Sequence, residues 1–267
     1  MDQIRIPHPG IHRRSEAEDR SFSGILMPIA IFLTLALLSV SMRLTWFAHS
    51  CFLLEGSRKI LIDPFFPEGV AAPKADLVAL THGHDDHAGE VLRLRCKTVA
   101  INETAKILAR RGLDTVGMNI GGTISVDGVT FTMTQAIHTG GLELDGEILY
   151  GGGAAGYVIG MDGLHIYHAG DTALFSDMQL IQELYRPDVA MLPIGNYYTM
   201  GPTEAMMAAR FIGAPLILPM HYSTWPKIEQ DPVAFKNAVE RTTDLRVVIL
   251  KPGESLELDA KTLRPRT

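Results

Sequence analysis

Residues 82–87 read His82-Gly83-His84-Asp85-Asp86-His87 and follow directly on the apolar run 75–80 and Thr81. Three histidines and two carboxylates in six positions are costly to bury unless they bind something or each other. The preceding run is rich in Val and Leu and reads as a strand. The chain therefore enters the motif extended, and His82 and His84 project to the same side, where both can hold one cation. A helix or turn starting near Asp85 would aim Asp86 and His87 elsewhere, toward a second ion, with Gly83 allowing a tight turn between the two. One run cannot complete two coordination spheres, because zinc sites generally take about four ligands. The fold must therefore bring further donors to this loop from distant parts of the chain.

Three candidates sit at predicted strand ends. His138 follows the strand 129–136. Asp171 follows the strand 164–168, within Tyr167-His168-Ala169-Gly170-Asp171-Thr172, and His221 follows the strand 216–220. A scaffold places functional groups on such loops. A lone histidine at a strand end is more often packing or surface; together with the histidine run, the three form a ligand set. Further strands are expected at 44–47, 51–55, 59–63, 156–161, 188–193 and 246–250. Hairpin turns are expected at Glu55-Gly56-Ser57, Asp127-Gly128 and Asp162-Gly163. Helices are expected at 103–111 ending at Gly112, from a Ser176 cap to Tyr185, from Pro202 to Phe211, and from Asp231-Pro232 to Arg241. Strands alternate with helices, but many strand pairs are hairpins. The expected class is α/β, with mixed sheets and helices outside them.

The 267 residues suffice for a large buried core, and 46% hydrophobic with 20% charged residues is the balance of a folded globular chain. A net charge of −6 and the lack of a basic track exclude a nucleic-acid partner. Cys51 and Cys96 form no disulfide framework and lack zinc-knuckle spacing, so both read as buried small hydrophobes. Residues 1–41 form an N-terminal extension and residues 42–267 the domain. Within the extension, residues 25–40 are almost wholly apolar, which is short for a membrane span of roughly 20 residues. The extension is an anchor or signal, a buried helix of the domain, or a dispensable segment with translation starting at Met42. The protein is expected in the cytoplasm, or anchored or exported if the extension is genuine. Membrane contact is expected only through residues 25–40.

The motifs together resemble the metallo-β-lactamase-fold hydrolases, which share His-x-His-x-Asp-His followed by a His, an Asp and a His. More narrowly, the chain resembles a group of metal-dependent hydrolases of that superfamily, related to the ascorbate-phosphate lactonases. The narrower match rests on Thr45-Trp46-Phe47-Ala48-His49-Ser50, Ile62-Asp63-Pro64, Leu192-Pro193-Ile194-Gly195, Tyr198-Thr199-Met200-Gly201-Pro202 and Pro219-Met220-His221-Tyr222, besides the segment around Asp171. The resemblance implies a four-layer αβ/βα sandwich of two mixed sheets with two divalent ions at one edge. His82, His84 and His138 would hold the first ion, and Asp86, His87 and His221 the second, with Asp171 bridging. Zinc suits such ligands; Mn, Fe or Ni are also compatible.

Two such ions sharing a water lower its pKa, and the resulting hydroxide would attack an ester-like bond, a lactone or a phosphodiester, of a small molecule. Asp86 and Asp171 are the expected catalytic carboxylates, Asp86 also taking up a proton. The alternatives are a phospholipid phosphodiesterase near a membrane and a non-enzymatic metal-binding module. Asp63 is either an acceptor orienting a ligand histidine or part of an Asp-Pro turn. His49 and His168 are expected beside the site, Tyr222 as a donor to an oxyanion, and Tyr197 and Tyr198 along the pocket. Homo-oligomers are compatible with the sequence.

Overall fold

The computed structural model of the chain describes residues 41–263. The N-terminal extension, with its apolar stretch 25–40 and with His8 and His12, lies outside the described residues. Two seven-stranded sheets carry the fold. The first contains β1 (Ser41–Ala48), β2 (Cys51–Glu55), β3 (Lys59–Ile62), β4 (Leu77–Ala79), β5 (Lys97–Ile101), β6 (Thr115–Met118) and β16 (Ser255–Asp259), in the order β16-β1-β2-β3-β4-β5-β6. The second contains β7 (Thr123–Val126), β8 (Val129–Gln135), β11 (Ala155–Met161), β12 (Leu164–His168), β13 (Val189–Pro193), β14 (Leu216–Met220) and β15 (Arg246–Val247), in the order β15-β14-β13-β12-β11-β8-β7. A small hairpin pairs β9 (Gly141–Leu144) with β10 (Glu147–Tyr150). The helices are α1 (Asp85–Ala88), α2 (Val91–Leu94), α3 (Asn102–Arg110), α4 (Met178–Tyr185), α5 (Pro202–Ile212), α6 (Pro232–Thr242) and α7 (Ala260–Leu263). This is the metallo-β-lactamase fold, and both sheets are mixed as expected.

Side-chain alternation assigns the faces. In β2, Phe52 and Leu54 enter the large core that both sheets share, together with Ile60, Ile62, Phe131 and Tyr157. Cys51 and Leu53 enter a second core with Leu61, Val78 and the α3 residues Ala105 and Leu108. β2, β3 and β4 are thus apolar on both faces, with alternate residues entering the two cores. The fully buried Tyr157 donates its hydroxyl to the Leu80 carbonyl at 3.0 Å, and Ala155 N–H donates to the Thr81 carbonyl at 3.0 Å. These bonds lock the second sheet to the strand that delivers the histidine run.

Pairing sets the direction of the strands that matter. β3 and β4 are parallel, and β1 runs with them because both β1–β2 and β2–β3 are antiparallel. β12, β13 and β14 are parallel, and β8 runs with β12 because β11 opposes both. The chain leaves β1, β3, β4, β8, β12 and β14 at His49, Asp63, the histidine run, the His138 segment, the Asp171 loop and His221.

Several expectations need correction. The expected strand 246–250 pairs only over Arg246–Val247. Strands β5, β6, β9, β10 and β16 were not anticipated; β16 closes the first sheet against β1. The β9–β10 turn is a third Asp-Gly pair, Asp145-Gly146, with φ of 54° and 79°, the left-handed pair that such a tight hairpin requires. Asp177, not Ser176, occupies the cap position of α4, and the Ser176 hydroxyl donates to Asp177 Oδ1 instead.

Candidate metal centre

Three site residues sit in the left-handed backbone region, which side-chain-bearing residues rarely adopt: His49 at φ 55°, Asp63 at 45° and His221 at 54°. Each directly follows a strand, β1, β3 and β14 respectively. The turn breaks the strand and swings the side chain out over the sheet edge. Such strain persists only where the surroundings hold it. Here His221 N–H donates to the His49 carbonyl at 2.9 Å, and the two rings lie 3.8 Å apart between centroids.

The histidine run meets these residues as expected. Helix α1 begins at Asp85; Asp86 turns to His49, while the His87 ring stays 4.1 Å from that of His82. Gly83 serves a different purpose from the one expected. It is not among the positive-φ glycines; a Cβ there would lie 2.9 Å from the Gly141 carbonyl and 2.8 Å from Leu142 Cβ. Glycine is required because the β9–β10 hairpin packs on the run, not because the backbone turns.

Two groups of donor atoms form, and a third, His82, His87 and Asp171, overlaps both. His82, His84 and His138 lie with one ring nitrogen each within 4.8 Å of one another, and so do His49, Asp86, His87 and His221. Asp171 lies between the groups. Its Oδ2 is 3.0 Å from His221 Nε2, 3.4 Å from His87 Nε2 and 3.7 Å from His138 Nε2. His87 Nε2, Asp171 Oδ1 and both ring nitrogens of His221 are buried without a hydrogen-bond partner. Unpaired buried polar atoms are expensive, and three of them, His87 Nε2, Asp171 Oδ1 and His221 Nε2, brought together from three parts of the chain, fit a divalent cation as their missing partner.

Asp63 sets the orientation of this cluster. Fully buried, it accepts Thr81 N–H at Oδ1 (2.8 Å), and Thr81 Oγ1–H (2.7 Å) and His87 Nδ1–H (2.8 Å) at Oδ2. Because the Thr81 hydroxyl is spent on Asp63, it accepts from His82 Nδ1–H at 3.0 Å. Both histidines are thereby fixed with their protons on Nδ1 and their Nε2 lone pairs facing inward, the arrangement a ligand needs. Of the two roles considered for Asp63, the structure shows the acceptor.

His49 is closer to the chemistry than a neighbour. Its Nε2 lies 2.9 Å from Asp86 Oδ2 and its Nδ1 3.1 Å from Thr224 Oγ1. Burial, partly offset by the bond to Asp86, lowers its pKa to about 4. A neutral ring donating to Asp86 and accepting from Thr224 satisfies both nitrogens. Burial opposes ionisation of Asp86, but the bond from His49 and the fields of His87 and His49 outweigh it and hold the carboxyl below its ordinary range. Burial likewise disfavours charge on His87, yet Asp171 and Asp63 together pull its pKa up. Burial lowers His82, His84, His138 and His168.

These shifts have a consequence for stability. Histidines held neutral in the fold take up protons on unfolding, so stability is full above the ordinary histidine value of about 6.5 and is lost as pH falls from there toward about 4. His87 pulls the other way. We expect the thermal midpoint of metal-stripped protein to fall through this window, and His49→Gln to remove His49's share, ~3 kcal/mol. A midpoint that stays flat between these pH values would refute it.

Two expected neighbours have structural duties. His168 donates from Nε2 to the Ser50 carbonyl at 2.9 Å and accepts Gly170 N–H at Nδ1 at 3.1 Å, so neither nitrogen is free for a ligand. It clamps the loop that carries Asp171 to the first sheet. Tyr222 does not line the metal cavity: it stacks on Trp46, with centroids 5.5 Å apart, and lines a separate apolar cavity with Pro67 and Leu250. Its ring lies outside the cavity that His221 lines, so Tyr222 is not placed to donate to an oxyanion there. His165 is exposed, its Nδ1 bonded to the Tyr185 carbonyl, as expected of a surface histidine.

The cluster opens into a cavity of about 510 Å³. His84, Asp86, His138, Asp171 and His221 form its floor, and Thr139, Tyr198 and Trp225 its walls. Tyr198 was expected there; Tyr197 is not among the lining residues, and packs on Tyr198 instead. Trp225, Thr139, Thr81 and Thr172 were not anticipated. Buried Thr172 accepts Ile137 N–H at its hydroxyl and Met200 N–H at its carbonyl, joining the His138, Asp171 and Tyr198 loops. No spacing signal marks such threonines, because each acts through contacts far apart in sequence.

A sequence profile described as the Beta-lactamase superfamily domain matches residues 43–221. A UPF0173 metal-dependent hydrolase of Methanoculleus marisnigri is 61% identical over 217 residues, covering 81% of this chain and 97% of that protein. Another from Archaeoglobus fulgidus is 46% identical over 230 residues, covering 82% of this chain and all of its own length. The solved structure of Igni18, described as a novel metallo hydrolase from the archaeon Ignicoccus hospitalis, superposes with a TM-score of 0.73 at 36% identity, covering 82% of this chain and 99% of that one.

Proposed function

The chain belongs to the UPF0173 metal-dependent hydrolase family of the β-lactamase superfamily, and we propose that it cleaves an ester-like bond, a lactone or a phosphodiester, of a small molecule at a centre of two divalent ions. In this reading His82, His84 and His138 hold one ion, Asp86, His87 and His221 the other, and Asp171 both. The observation that carries it is the position of Asp171 Oδ2, within 3.7 Å of nitrogens from both groups. Bound ions of this kind supply a water of lowered pKa and an electrophile for a developing negative charge; zinc fits the donor set.

The chain's own residues do the rest. Asp63 and Thr81 keep His82 and His87 in the ligating tautomer. His49, held by Thr224, fixes the Asp86 carboxylate, whose second oxygen is then placed to accept a proton at the cavity floor. The walls seat the substrate. Among the described residues no helix is long and apolar enough to cross a membrane.

The test is a hydrolysis panel on zinc-loaded protein: a phosphodiester, a phosphomonoester, lactones and a phospholipid, each with and without chelator. We expect turnover of a lactone or the small phosphodiester, abolished by chelator. Turnover of the phospholipid alone would move the assignment to a lipid phosphodiesterase. Turnover that survives full removal of metal would overturn the proposal.

A further inference from the structure

Two large aromatic rings stand at the mouth of the metal cavity, partly open to water: Tyr198 is 48% exposed and Trp225 37%. Both are held from behind. Tyr197 meets Tyr198 edge-to-face at 4.6 Å, and Lys227 lies 5.2 Å from the Tyr197 ring centre. Trp225 meets His49 at 4.6 Å and Phe65 at 5.9 Å, both near perpendicular.

The loops that carry them are short and internally bonded. Asn196 N–H donates to the Met200 carbonyl, and Met200 N–H to Thr172, beside Asp171. Ser223 N–H donates to the Ile228 carbonyl, and Ile228 N–H to Trp225. The rings are therefore pre-organised, and little entropy is lost when a flat group settles against them.

Charge narrows the occupant. Among the described residues lining the cavity there is no Lys or Arg; the remaining polar groups are the metal-facing donors, the Thr139 and Tyr198 hydroxyls and the Trp225 indole N–H. A substrate with a carboxylate or second phosphate away from the reacting centre would find no cation to pair with and two carboxylates nearby, Asp86 and Asp171.

Resting on the metal-centre reading above, we propose that the substrate carries an aromatic or other planar, uncharged group beside the scissile bond, and that Tyr198 and Trp225 seat it. Phosphinates test this without turnover, since all share one singly charged, metal-seeking head. Binding of diphenylphosphinate, dimethylphosphinate and bis(2-carboxyethyl)phosphinate to zinc-loaded protein would be measured by calorimetry. Diphenylphosphinate is expected to bind about tenfold more tightly than the dimethyl compound, a modest stacking contribution, and the carboxylated one no more tightly than the dimethyl. Tyr198→Ala and Trp225→Ala should each erode the aryl preference and leave dimethylphosphinate binding unchanged, while Trp225→Phe retains most of it. Equal binding of the diphenyl and dimethyl compounds, tightest binding of the carboxylated one, or an aryl preference untouched in both alanine variants would overturn the aromatic seat alone. Failure of all three to bind protein that holds zinc would overturn it together with the metal-centre reading beneath it.

Discussion

Asp171→Ala is expected to lower kcat/KM by at least about a thousandfold, ~4 kcal/mol of lost transition-state stabilisation. Among the described residues Asp171 is the one carboxylate whose oxygen approaches both groups of histidines, reaching His221, His87 and His138 from one atom. It is 2% exposed. Burial alone would keep it protonated; the fields of His87 and His221 hold it ionised instead. Without it, two metal sites lose their common ligand and the imidazoles lose their counter-charge. Metal content by mass spectrometry should fall together with activity. A variant with full metal content and near-native turnover would remove Asp171 from the centre.

Asp63→Asn tests a residue that touches no metal in the proposed arrangement. The substitution keeps shape and removes charge, but its chemistry is wrong for the place. Three donors converge on this side chain, from Thr81 N–H, Thr81 Oγ1–H and His87 Nδ1–H. A carboxylate accepts all three; an amide turns one oxygen into a donor. Either a buried donor is left unpaired, or His87 accepts from the amide and its proton moves to Nε2, the atom meant for the metal.

We expect metal affinity to fall roughly 10–100-fold. Stability should fall by about 3 kcal/mol, lowering the thermal midpoint by about 6–12 °C for a domain of this size. An isothermal metal titration and a melting curve check both. Unchanged affinity together with an unchanged midpoint would show that Asp63 only terminates β3.

The donor atoms were legible in the sequence because the fold places them where local patterns are strongest. The histidine run follows a Val- and Leu-rich strand, and His138 and His221 follow apolar runs with clear ends, so residue type and strand end coincide. The two Asp-Gly hairpins at 127–128 and 162–163 were legible for the same reason, since a left-handed pair leaves a two-residue signature. The third, at Asp145-Gly146, carried the same signature between short strands that pack through few side chains, chiefly Leu142.

Other features carried no local signal. Tyr222 and Trp225 lie one and four positions beyond His221, and only the path of the loop after β14 decides that Trp225 enters the metal cavity and Tyr222 the apolar one. Strand β16 pairs with β1 across more than two hundred residues, a match that no window of sequence contains. Gly83 looked like a turn and is a contact, because the hairpin that needs its missing side chain lies almost sixty residues further on.

The sequence by itself determined which atoms could bind a cation and that each would stand at the end of a strand, since both follow from residue chemistry and period-two burial. Only the tertiary structure decided that six of those ends run the same way to one edge, that Asp171 stands between the two groups of histidines, and that Asp63 and Thr81 choose the histidine tautomers. Strand pairing and buried hydrogen bonds between distant residues set those relations, and they exist only when the two sheets have closed on their shared core.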